Sequence, residues 1–308
     1  MLLAAGLTPA RQQIFAFDHF RPGEVNRAVG VGRCASGKVL NVGMALKLLG
    51  CDRRILSVVG GGAQEAFDSD FAALDAPCRW IETAAETRTC ITILDGQIGA
   101  TTELVENAGR LSADELARFH DAFAGEAGAA EFIVLTGSLP AGTPSSFFRE
   151  LLDNVHCPAL LDARGPELLM ALDCRPLVVK PNREELAATV GRCLTGDEEL
   201  HRAMAELNDR GAEWVVVSEG KKAVWVSGRG RLFRLDPPEL ERIVNPIGCG
   251  DVLAAGIAAA IVRGNDPPEA VRFGMAAAAE SALELLPARF DPSRIAARLT
   301  TITINSIM

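Results

Sequence analysis

Short runs of continuous apolar residues alternate along the chain with longer segments that are apolar on one side only. Runs rich in Val, Leu and Ile occur at 2–6, 54–59, 132–135, 159–161, 177–179 and 214–217. A strand that is apolar at every position is buried on both faces, which is typical of a parallel sheet covered by helices. Helical spacing follows these runs at 38–49, 112–124, 252–262 and 268–286. The pattern therefore predicts an α/β fold with a mostly parallel central sheet flanked by helices.

Two segments do not follow this alternation of apolar runs and helical segments. Phe15 and Phe17 are two residues apart, which predicts a strand with one covered face. TCITILD (89–95) and TTELV (101–105) alternate around Gly96 and Gly99, which predicts a β-hairpin. We interpret these segments, about 10–35 and 86–106, as a small β-sheet lid on a single domain that spans residues 1–308. The tail TTITINSIM (300–308) is rich in β-branched residues, and its pattern fits either an edge strand or a frayed end.

The stretch VNPIGCGD (244–251) precedes the Ala-rich run at 252–262, which reads as a buried helix. Gly248 and Gly250 allow backbone N–H groups to point into one concavity, and the helix N-terminus adds positive partial charge there. Asp251 then lies beside an anion-binding site, where its carboxylate can accept a proton from a hydroxyl group. This combination indicates phosphoryl transfer to an alcohol. The alternative is a helix with a glycine-rich start and an acidic first turn.

Composition excludes several classes of function. The chain of 308 residues has a formal net charge of −9, which argues against a surface for nucleic acid or anionic membranes. Its eight cysteines include no CxxC pair, so zinc-site spacing is absent and reduced thiols are the better interpretation. The N-terminus lacks a signal-peptide pattern, and the run at 252–262 is too short to cross a bilayer. We expect a cytoplasmic protein that acts on a small molecule, with no nucleic-acid or membrane partner.

Other anion-binding motifs are absent or weak in the sequence. There is no G-x-x-x-x-G-K-[ST] loop and no G-x-S-x-G elbow. GVGRCA (30–35) matches the G-x-G-x-x-A dinucleotide fingerprint, but it follows no convincing strand. A dinucleotide-binding interpretation therefore stays open as the less favoured alternative.

Four stretches, in order along the chain, resemble motifs of the ribokinase-like phosphofructokinase B carbohydrate kinases. SGKVLNVG (36–43) resembles the substrate loop, and VNPIGCGD resembles the C-terminal signature, with Cys249 in place of the usual alanine. TGSLPAG (136–142) and KPNREEL (180–186) resemble the 1-phosphofructokinase and tagatose-6-phosphate kinase branch, and the latter contains the Asn-x-x-Glu motif. The resemblance covers nearly the whole chain. It implies the ribokinase-like three-layer α/β fold with a small β-sheet lid.

The resemblance also implies roles for individual residues and the use of ATP and Mg²⁺. Asp251 is expected to act as the base, while the N–H groups of Gly248, Cys249 and Gly250 hold the transferred phosphoryl group. Asn182 and Glu185 are expected to position Mg²⁺ through water, although their spacing alone also fits a helix cap. The residues expected to bind the nucleotide are Asn182, Ser218, Gly220, Asn245 and Ser281. The residues expected to bind the substrate are Gln12, Gly37, Lys38, Asn41, Ser138, Arg88 and Arg27, with Arg88 first and Arg27 second as partners of a substrate phosphate.

Departures from the family pattern lie on the sugar side. Gln12 stands where the family usually has a sugar-binding aspartate, and Val39 stands where its substrate loop usually has glycine. We expect an ATP-dependent kinase for a hexose phosphate such as fructose 1-phosphate or tagatose 6-phosphate. The alternatives are a kinase for an unphosphorylated sugar or nucleoside, and a catalytically impaired member that only binds a sugar or a nucleotide. The apolar faces of the lid further predict a homodimer formed through the lid.

Overall fold

The strands and helices are defined by a computed structural model that describes residues 1–72 and 78–307. The strands in this part of the chain are β1 (Leu2–Gly6), β2 (Ala10–Phe17), β3 (Gly30–Ser36), β4 (Arg53–Val59), β5 (Cys78–Glu82), β6 (Thr89–Asp95), β7 (Ala100–Val105), β8 (Phe132–Thr136), β9 (Ala159–Asp162), β10 (Val178–Val179), β11 (Trp214–Val217), β12 (Val224–Gly228), β13 (Arg231–Leu235) and β14 (Ile304–Ser306). The α-helices are α1 (Lys38–Leu48), α2 (Gln64–Ala72), α3 (Ala113–Ala127), α4 (Phe147–Leu152), α5 (Gly165–Ala171), α6 (Arg183–Val190), α7 (Asp197–Asp209), α8 (Cys249–Val262), α9 (Pro267–Ser281) and α10 (Ile295–Leu299).

The main sheet has the strand order β14-β13-β12-β11-β10-β9-β8-β1-β4-β5. Seven adjacent strands of this sheet are parallel to one another: β11, β10, β9, β8, β1, β4 and β5. The strands β12, β13 and β14 continue the sheet beyond β11, each antiparallel to its neighbour. Strand β1 lies in the middle, between β4 and β8, so the direction of the crossovers changes there. In open α/β sheets, ligands bind at the carboxyl ends of the strands next to such a change.

Helices cover both faces of this sheet, and each face has its own apolar core. Helices α1, α2, α8, α9 and α10 pack on one face, and α3, α4, α5, α6 and α7 pack on the other. Helix α3 begins with the capping box that the sequence predicts, because Ser112 accepts from the N–H of Glu115 and Glu115 accepts in return. The α/β class with a mostly parallel, helix-flanked sheet is therefore confirmed.

Helices α8 and α9 approach each other at a pair of glycines. A Cβ atom placed on Gly256 would lie 2.4 Å from the Cα atom of Gly274, closer than any side chain allows. Residues 251–260 of α8 are buried throughout. The position of α8, and with it Asp251, is therefore fixed by direct backbone contact with α9.

The second sheet has four strands in the order β3-β2-β6-β7, and we call it the lid sheet. Strands β6 and β7 form the predicted hairpin, in register from Cys90 opposite Val105 to Asp95 opposite Ala100. One face is buried and carries Gln12 and Ile14, whereas the opposite face is only partly covered. The small sheet predicted from the sequence is therefore present.

The dinucleotide fingerprint at 30–35 lies in strand β3 of the lid sheet, so the less favoured dinucleotide interpretation is wrong. Its backbone is paired with β2 from Gly30 opposite Ala16 to Ser36 opposite Ala10. Successive N–H groups of an extended strand point to opposite edges and do not converge on a phosphate, and the N–H of Ala35 donates to Asp70 Oδ2 at 2.6 Å. A Cβ atom on Gly32 would lie 2.9 Å from the Leu286 side chain, so this glycine serves close packing of the lid sheet on the body.

The end of α9 differs from the prediction, and the structure decides between the two alternatives for the C-terminal tail. Helix α9 ends at Ser281 and not at 286, because the carbonyl oxygen of Ala282 accepts from the N–H groups of Val244 and Asn245. This contact brings the chain after α9 beside the segment that leads into α8. The tail forms edge strand β14, which pairs with β13. Among the described helices, none has the length and apolar character needed to cross a membrane.

Candidate active site

Asp251 lies in the first turn of α8, at the edge of the sheet where the parallel strands end. Gly248 precedes the helix with φ +86°, a left-handed conformation that favours glycine, and a Cβ there would lie 2.9 Å from Pro287. Within the described part of the chain, the N–H groups of Gly248 and Gly250 donate to no acceptor. The Cys249 N–H donates to the carbonyl oxygen of Pro246 at 3.3 Å. Two of the three predicted donors are thus free at the positive end of a helix, which is a site for an anion.

Asn41 holds the Asp251 carboxylate in place. Its Nδ2 donates to Asp251 Oδ2 at 2.7 Å, and its Oδ1 accepts from Ser36 Oγ at 3.0 Å. Both Asn41 and Asp251 are buried. Asn41 lies one turn into α1, so the substrate loop and the catalytic helix meet at this hydrogen bond. This contact leaves the second carboxylate oxygen of Asp251 without a hydrogen-bond donor among the described residues.

The surroundings raise the pKa of Asp251 to about 7. Burial is the largest cause, because a charged carboxylate is poorly stabilised away from water. The charge of Asp162 acts in the same direction, while Lys38, Lys180 and the hydrogen bond from Asn41 oppose it. A carboxylate with a pKa near 7 is suited to accept a proton at neutral pH and to release it again.

Two lysines and two further acids surround this base. Lys38 Nζ lies 3.0 Å from Asp162 Oδ1 and 3.3 Å from Glu185 Oε1, and Lys180 Nζ lies 3.2 Å from Asp162 Oδ2. Burial by itself lowers the pKa of Lys38, but Asp162, Glu185 and Asp251 outweigh burial and raise it. Burial likewise raises the pKa of Asp162, but Lys180 and Lys38 outweigh it, so the net pKa is lowered. Lys38 is therefore charged, and Asp162 is ionised.

Asp162 and Lys180 are site residues that the sequence reasoning missed. Asp162 is the last residue of β9, and Lys180 directly follows β10. Polar residues at the carboxyl ends of neighbouring parallel strands meet at one edge of the sheet, and this rule could have found both.

Asn182 and Glu185 form a helix cap as well as part of the site. Asn182 Oδ1 accepts from the N–H of Glu185 at 2.7 Å, and Glu185 Oε2 accepts from the N–H of Asn182 at 2.9 Å. The two residues therefore form the helix cap that their spacing also allowed. The other carboxylate oxygen of Glu185, Oε1, remains paired with Lys38 Nζ. In the described residues, no group of three or more His, Cys, Asp or Glu side chains is arranged to hold a metal ion. Since Mg²⁺ usually keeps several waters, these oxygens fit it only through water.

The residues predicted to contact the nucleotide lie on both sides of this region. Ser218 follows β11 and is paired with Asn182 in an isolated bridge, and Gly220 is exposed with φ +55°. Asn245 is buried and donates to the carbonyl oxygen of Leu285 at 2.8 Å. Ser281 is 1% exposed, and its hydroxyl has no hydrogen-bond partner within residues 1–72 and 78–307. A buried, unpartnered hydroxyl is a position where a ligand can supply the missing partner.

Gly37, at the junction of β3 and α1, has φ +95°. A Cβ atom on Gly37 would lie 2.7 Å from the carbonyl oxygen of Thr8, so only glycine fits there. Gln12 lies on the buried face of the lid sheet, and its Nε2 donates to Thr92 Oγ1 at 2.8 Å.

Three predicted residues lie outside the cluster around Asp251. Arg88 donates to the carbonyl oxygens of Thr8, Pro9 and Glu106, at the junction of the lid sheet with the main sheet. Arg27 and Ser138 are exposed.

Comparison with known proteins gives a consistent picture. The family model for pfkB family carbohydrate kinases matches residues 2–292. A possible 1-phosphofructokinase from Thermotoga maritima has a similar structure, with a TM-score of 0.91, 20% identity and complete coverage of both chains. Phosphofructokinase-2 from Escherichia coli, in complex with potassium, has a TM-score of 0.86 and 23% identity, with coverage of 97% of this chain and 99% of its own. Ribokinase from Arabidopsis thaliana, complexed with ribose and ATP, has a TM-score of 0.73 and 19% identity, with coverage of 97% of this chain and 98% of its own. At these identities, the structural likeness indicates a shared fold.

Proposed function

Since the chain belongs to the pfkB family of carbohydrate kinases, which transfer a phosphoryl group to a hydroxyl group, we propose that it phosphorylates a sugar phosphate at the expense of ATP. The whole chain would work as one catalytic domain, with the lid sheet covering the sugar. The observation that carries this proposal is the buried Asp251 carboxylate beside the free N–H groups of Gly248 and Gly250. A base and an anion site this close together suit transfer to an alcohol.

In the proposed mechanism, Asp251 accepts the proton of the acceptor hydroxyl as that oxygen bonds to phosphorus. Asn41 keeps the carboxylate oriented through its hydrogen bond. The N–H groups of Gly248 and Gly250 stabilise the negative charge on the transferred group, since they point at it without having to reorganise. ATP would supply the γ-phosphoryl group, and ADP would leave as the bond between the γ-phosphorus and the β,γ-bridging oxygen breaks. Asn182 and Glu185 would hold Mg²⁺ through water, and the ion would supply positive charge against the phosphates.

The choice of a sugar phosphate is supported by the similar structures. Two of the similar structures are of a phosphofructokinase and a possible 1-phosphofructokinase. Arg88 and Arg27 remain the candidates for the substrate phosphate. Fructose 1-phosphate and tagatose 6-phosphate are the first acceptors to test, on the resemblance of the loop at 136–142 and of KPNREEL.

A kinase for an unphosphorylated sugar is the second candidate, and the placement of Arg88 favours it. All three side-chain nitrogens of Arg88, Nε, Nη1 and Nη2, already donate to backbone carbonyl oxygens. Arg27 is exposed on the loop between β2 and β3. Arg88 and Arg27 are the two residues predicted to bind a phosphate group on the sugar. If both have structural roles only, neither is left to bind that phosphate.

A coupled assay for ADP release tests the proposal. The purified protein is incubated with ATP, Mg²⁺ and, in turn, hexose phosphates, unphosphorylated sugars and nucleosides. We expect release with a hexose phosphate, and a fall of roughly 10²–10⁴-fold in turnover for Asp251→Asn. The control is Glu126→Gln, which changes a carboxylate on α3 that pairs with Arg54 and Arg79. Release with unphosphorylated acceptors alone would favour the second candidate, and thermal stabilisation by ligands without any release would contradict both.

We also propose a homodimer formed through the lid sheet. The register of the strands places Phe15, Val31, Ile91, Ile93 and Leu104 on its less covered face. Val31 is 45% and Leu104 52% exposed, although both are apolar. A second copy of the chain would bury this face, and an isolated small sheet does not do so by itself.

Light scattering on the full chain tests the dimer. Val31→Glu combined with Leu104→Glu should give a monomer, because the substitutions put charge into the proposed interface without touching the core. Ile307→Glu is the matched control, since Ile307 is 49% exposed but follows β14 of the main sheet. A monomeric wild type, or a double variant that stays dimeric, would refute the interface.

A further inference from the structure

Asp162 connects two ammonium groups, that of the partly exposed Lys38 and that of the buried Lys180, one through each of its carboxylate oxygens. Oδ1 lies 3.0 Å from Lys38 Nζ and Oδ2 lies 3.2 Å from Lys180 Nζ, and Asp162 itself is 0% exposed. We propose that Asp162 is a positioning residue that places Lys38 on the acceptor side of Asp251 and Lys180 on the side of the transferred phosphoryl group. The proposal rests on the proposed kinase function of the same site.

The Lys38 side of this bridge belongs to the substrate loop. Lys38 is the first residue of α1 and Asn41 lies one turn further on, so both face the same region. Lys38 Nζ also pairs with Glu185 Oε1 at 3.3 Å. With one carboxylate on each side, the ammonium is held at a fixed position next to the base.

The Lys180 side faces the glycines that begin α8. A Cβ atom on Gly250 would lie 3.8 Å from Lys180 Nζ, so the ammonium is next to the backbone of the anion site. The side chain is 4% exposed, and Asp162 is its partner. An ammonium has three N–H donors, so it keeps donors for another acceptor. Together with the free N–H groups of Gly248 and Gly250, these remaining donors suit the binding of a phosphoryl group.

Asp162 and its two lysine partners shift the pKa of Asp251 in opposite directions. The groups that face Asp251 are Asn41 and Lys38 on α1, Asp162 at the end of β9, Lys180 after β10 and Cys249 on α8 itself. The negative charge of Asp162 disfavours ionised Asp251, whereas the two lysines favour it. Removing Asp162 and removing Lys180 should therefore move the ionisation of Asp251 in opposite directions, which a loss of packing alone would not do.

The test measures kcat/KM against pH for Asp162→Asn, Lys180→Met and wild type. Because the base must be deprotonated, kcat/KM of the wild type should rise with pH around neutrality. We expect the midpoint to move to lower pH in Asp162→Asn and to higher pH in Lys180→Met. The plateau should fall by about 10- to 100-fold in both, because the reacting groups are misplaced. Glu126→Gln is the matched control, since it also removes a carboxylate that bridges two cations, and it should change neither quantity.

The double variant Asp162→Asn/Lys180→Met separates the electrostatic effect from a loss of folding. It removes one buried anion together with one buried cation, so the net charge of the site is kept. Its midpoint should lie between those of the single variants, with a plateau as low as theirs. Midpoints that stay at the wild-type pH in both single variants, or that move in the same direction, would overturn the role of Asp162. A double variant with a wild-type plateau would do so as well.

Failure of the kinase function is distinguishable from failure of this inference. If the wild type transfers no phosphoryl group to any acceptor, the kinase proposal fails. The ionisation of Asp251 can still be followed by carbon-13 NMR of protein labelled at aspartate, with Asp251→Asn to assign the signal. Opposite shifts of that ionisation in Asp162→Asn and Lys180→Met would support the electrostatic bridge, and equal ones would overturn it.

Discussion

Replacing Asp251 with asparagine should stabilise the protein at alkaline pH while it lowers turnover by roughly 10²–10⁴-fold. In the folded protein, the pKa of this carboxyl is raised from 3.8 to about 7, mainly by burial. A group whose folded-state pKa lies above its unfolded value contributes stability that is complete below the unfolded pKa. This contribution is lost as the pH rises through the folded pKa, here between about pH 4 and pH 7. Above pH 7 the wild type therefore holds an unfavourable buried charge that asparagine does not carry.

The magnitude follows from the distance between the measuring pH and the folded pKa. At about pH 5.5 the unfolded carboxyl is ionised, whereas the folded carboxyl is protonated and lies about 1.5 units below its pKa. Each unit corresponds to about 1.36 kcal/mol, so this group stabilises the wild type by about 2 kcal/mol relative to about pH 8.5. The difference in free energy of unfolding between Asp251→Asn and wild type should thus move by about 2 kcal/mol in favour of the variant over this interval.

Urea unfolding at the two pH values measures this difference. Subtracting the wild type from the variant at each pH removes the contributions of all other titrating groups that the substitution leaves unchanged. Asp114→Asn is the control, because its side chain is 81% exposed and its partner is Arg118 and not a histidine, so its difference from wild type should not depend on pH. If the difference for Asp251→Asn is the same at both pH values, or favours the wild type more at the higher one, then the carboxyl is not held with a raised pKa and the argument for a buried base fails.

Three further predictions concern packing, reactivity and capping. Gly256→Ala should destabilise the protein by about 1–3 kcal/mol in urea unfolding and lower turnover, because its Cβ would lie 2.4 Å from the Cα atom of Gly274; an unchanged midpoint would mean that the helices separate easily. The thiol of Cys249 should react with iodoacetamide at pH 8 far more slowly than that of the exposed Cys193, because burial first and Asp251 second raise its pKa to about 12; equal labelling rates by mass spectrometry would contradict this. Ser112→Ala should cost about 0.5–2 kcal/mol of stability through loss of the α3 capping box, and rescue by Ser112→Asp would separate capping from packing.

Local patterns in the sequence were sufficient for most of the fold. The apolar runs predict β1, β8, β9 and β11, and the Ser-x-x-Glu pattern at 112–115 predicts the start of α3. These features are local, because a continuous apolar run or a capping pair is decided by a few neighbouring residues. The end of α9 could not be predicted in this way. It depends on the carbonyl oxygen of Ala282, which accepts from Val244 and Asn245, about forty residues earlier.

Most site residues in motif stretches were predicted, whereas Asp162 and also Lys180, the first residue of KPNREEL, were missed. Asp251, Asn41, Lys38 and Glu185 belong to motif stretches, and the structure brings them together. Asp162, the last residue of β9, belongs to none of the motif stretches. Its importance depends on the order of β9 and β10 in the sheet, which sets its distance from two lysines.

The residues of this site lie far apart along the chain, and this affects how the protein folds. The hydrogen bond from Asn41 to Asp251 joins residues 210 positions apart, and the ion pair of Lys38 with Asp162 joins residues 124 positions apart. Contacts of high sequence separation form slowly, because a long loop must close before they give any stabilisation. Helices such as α3, with local caps, can form early. In refolding from urea, recovery of enzymatic turnover should therefore lag behind recovery of helical circular dichroism, and turnover becomes a measure of the last tertiary contacts to form.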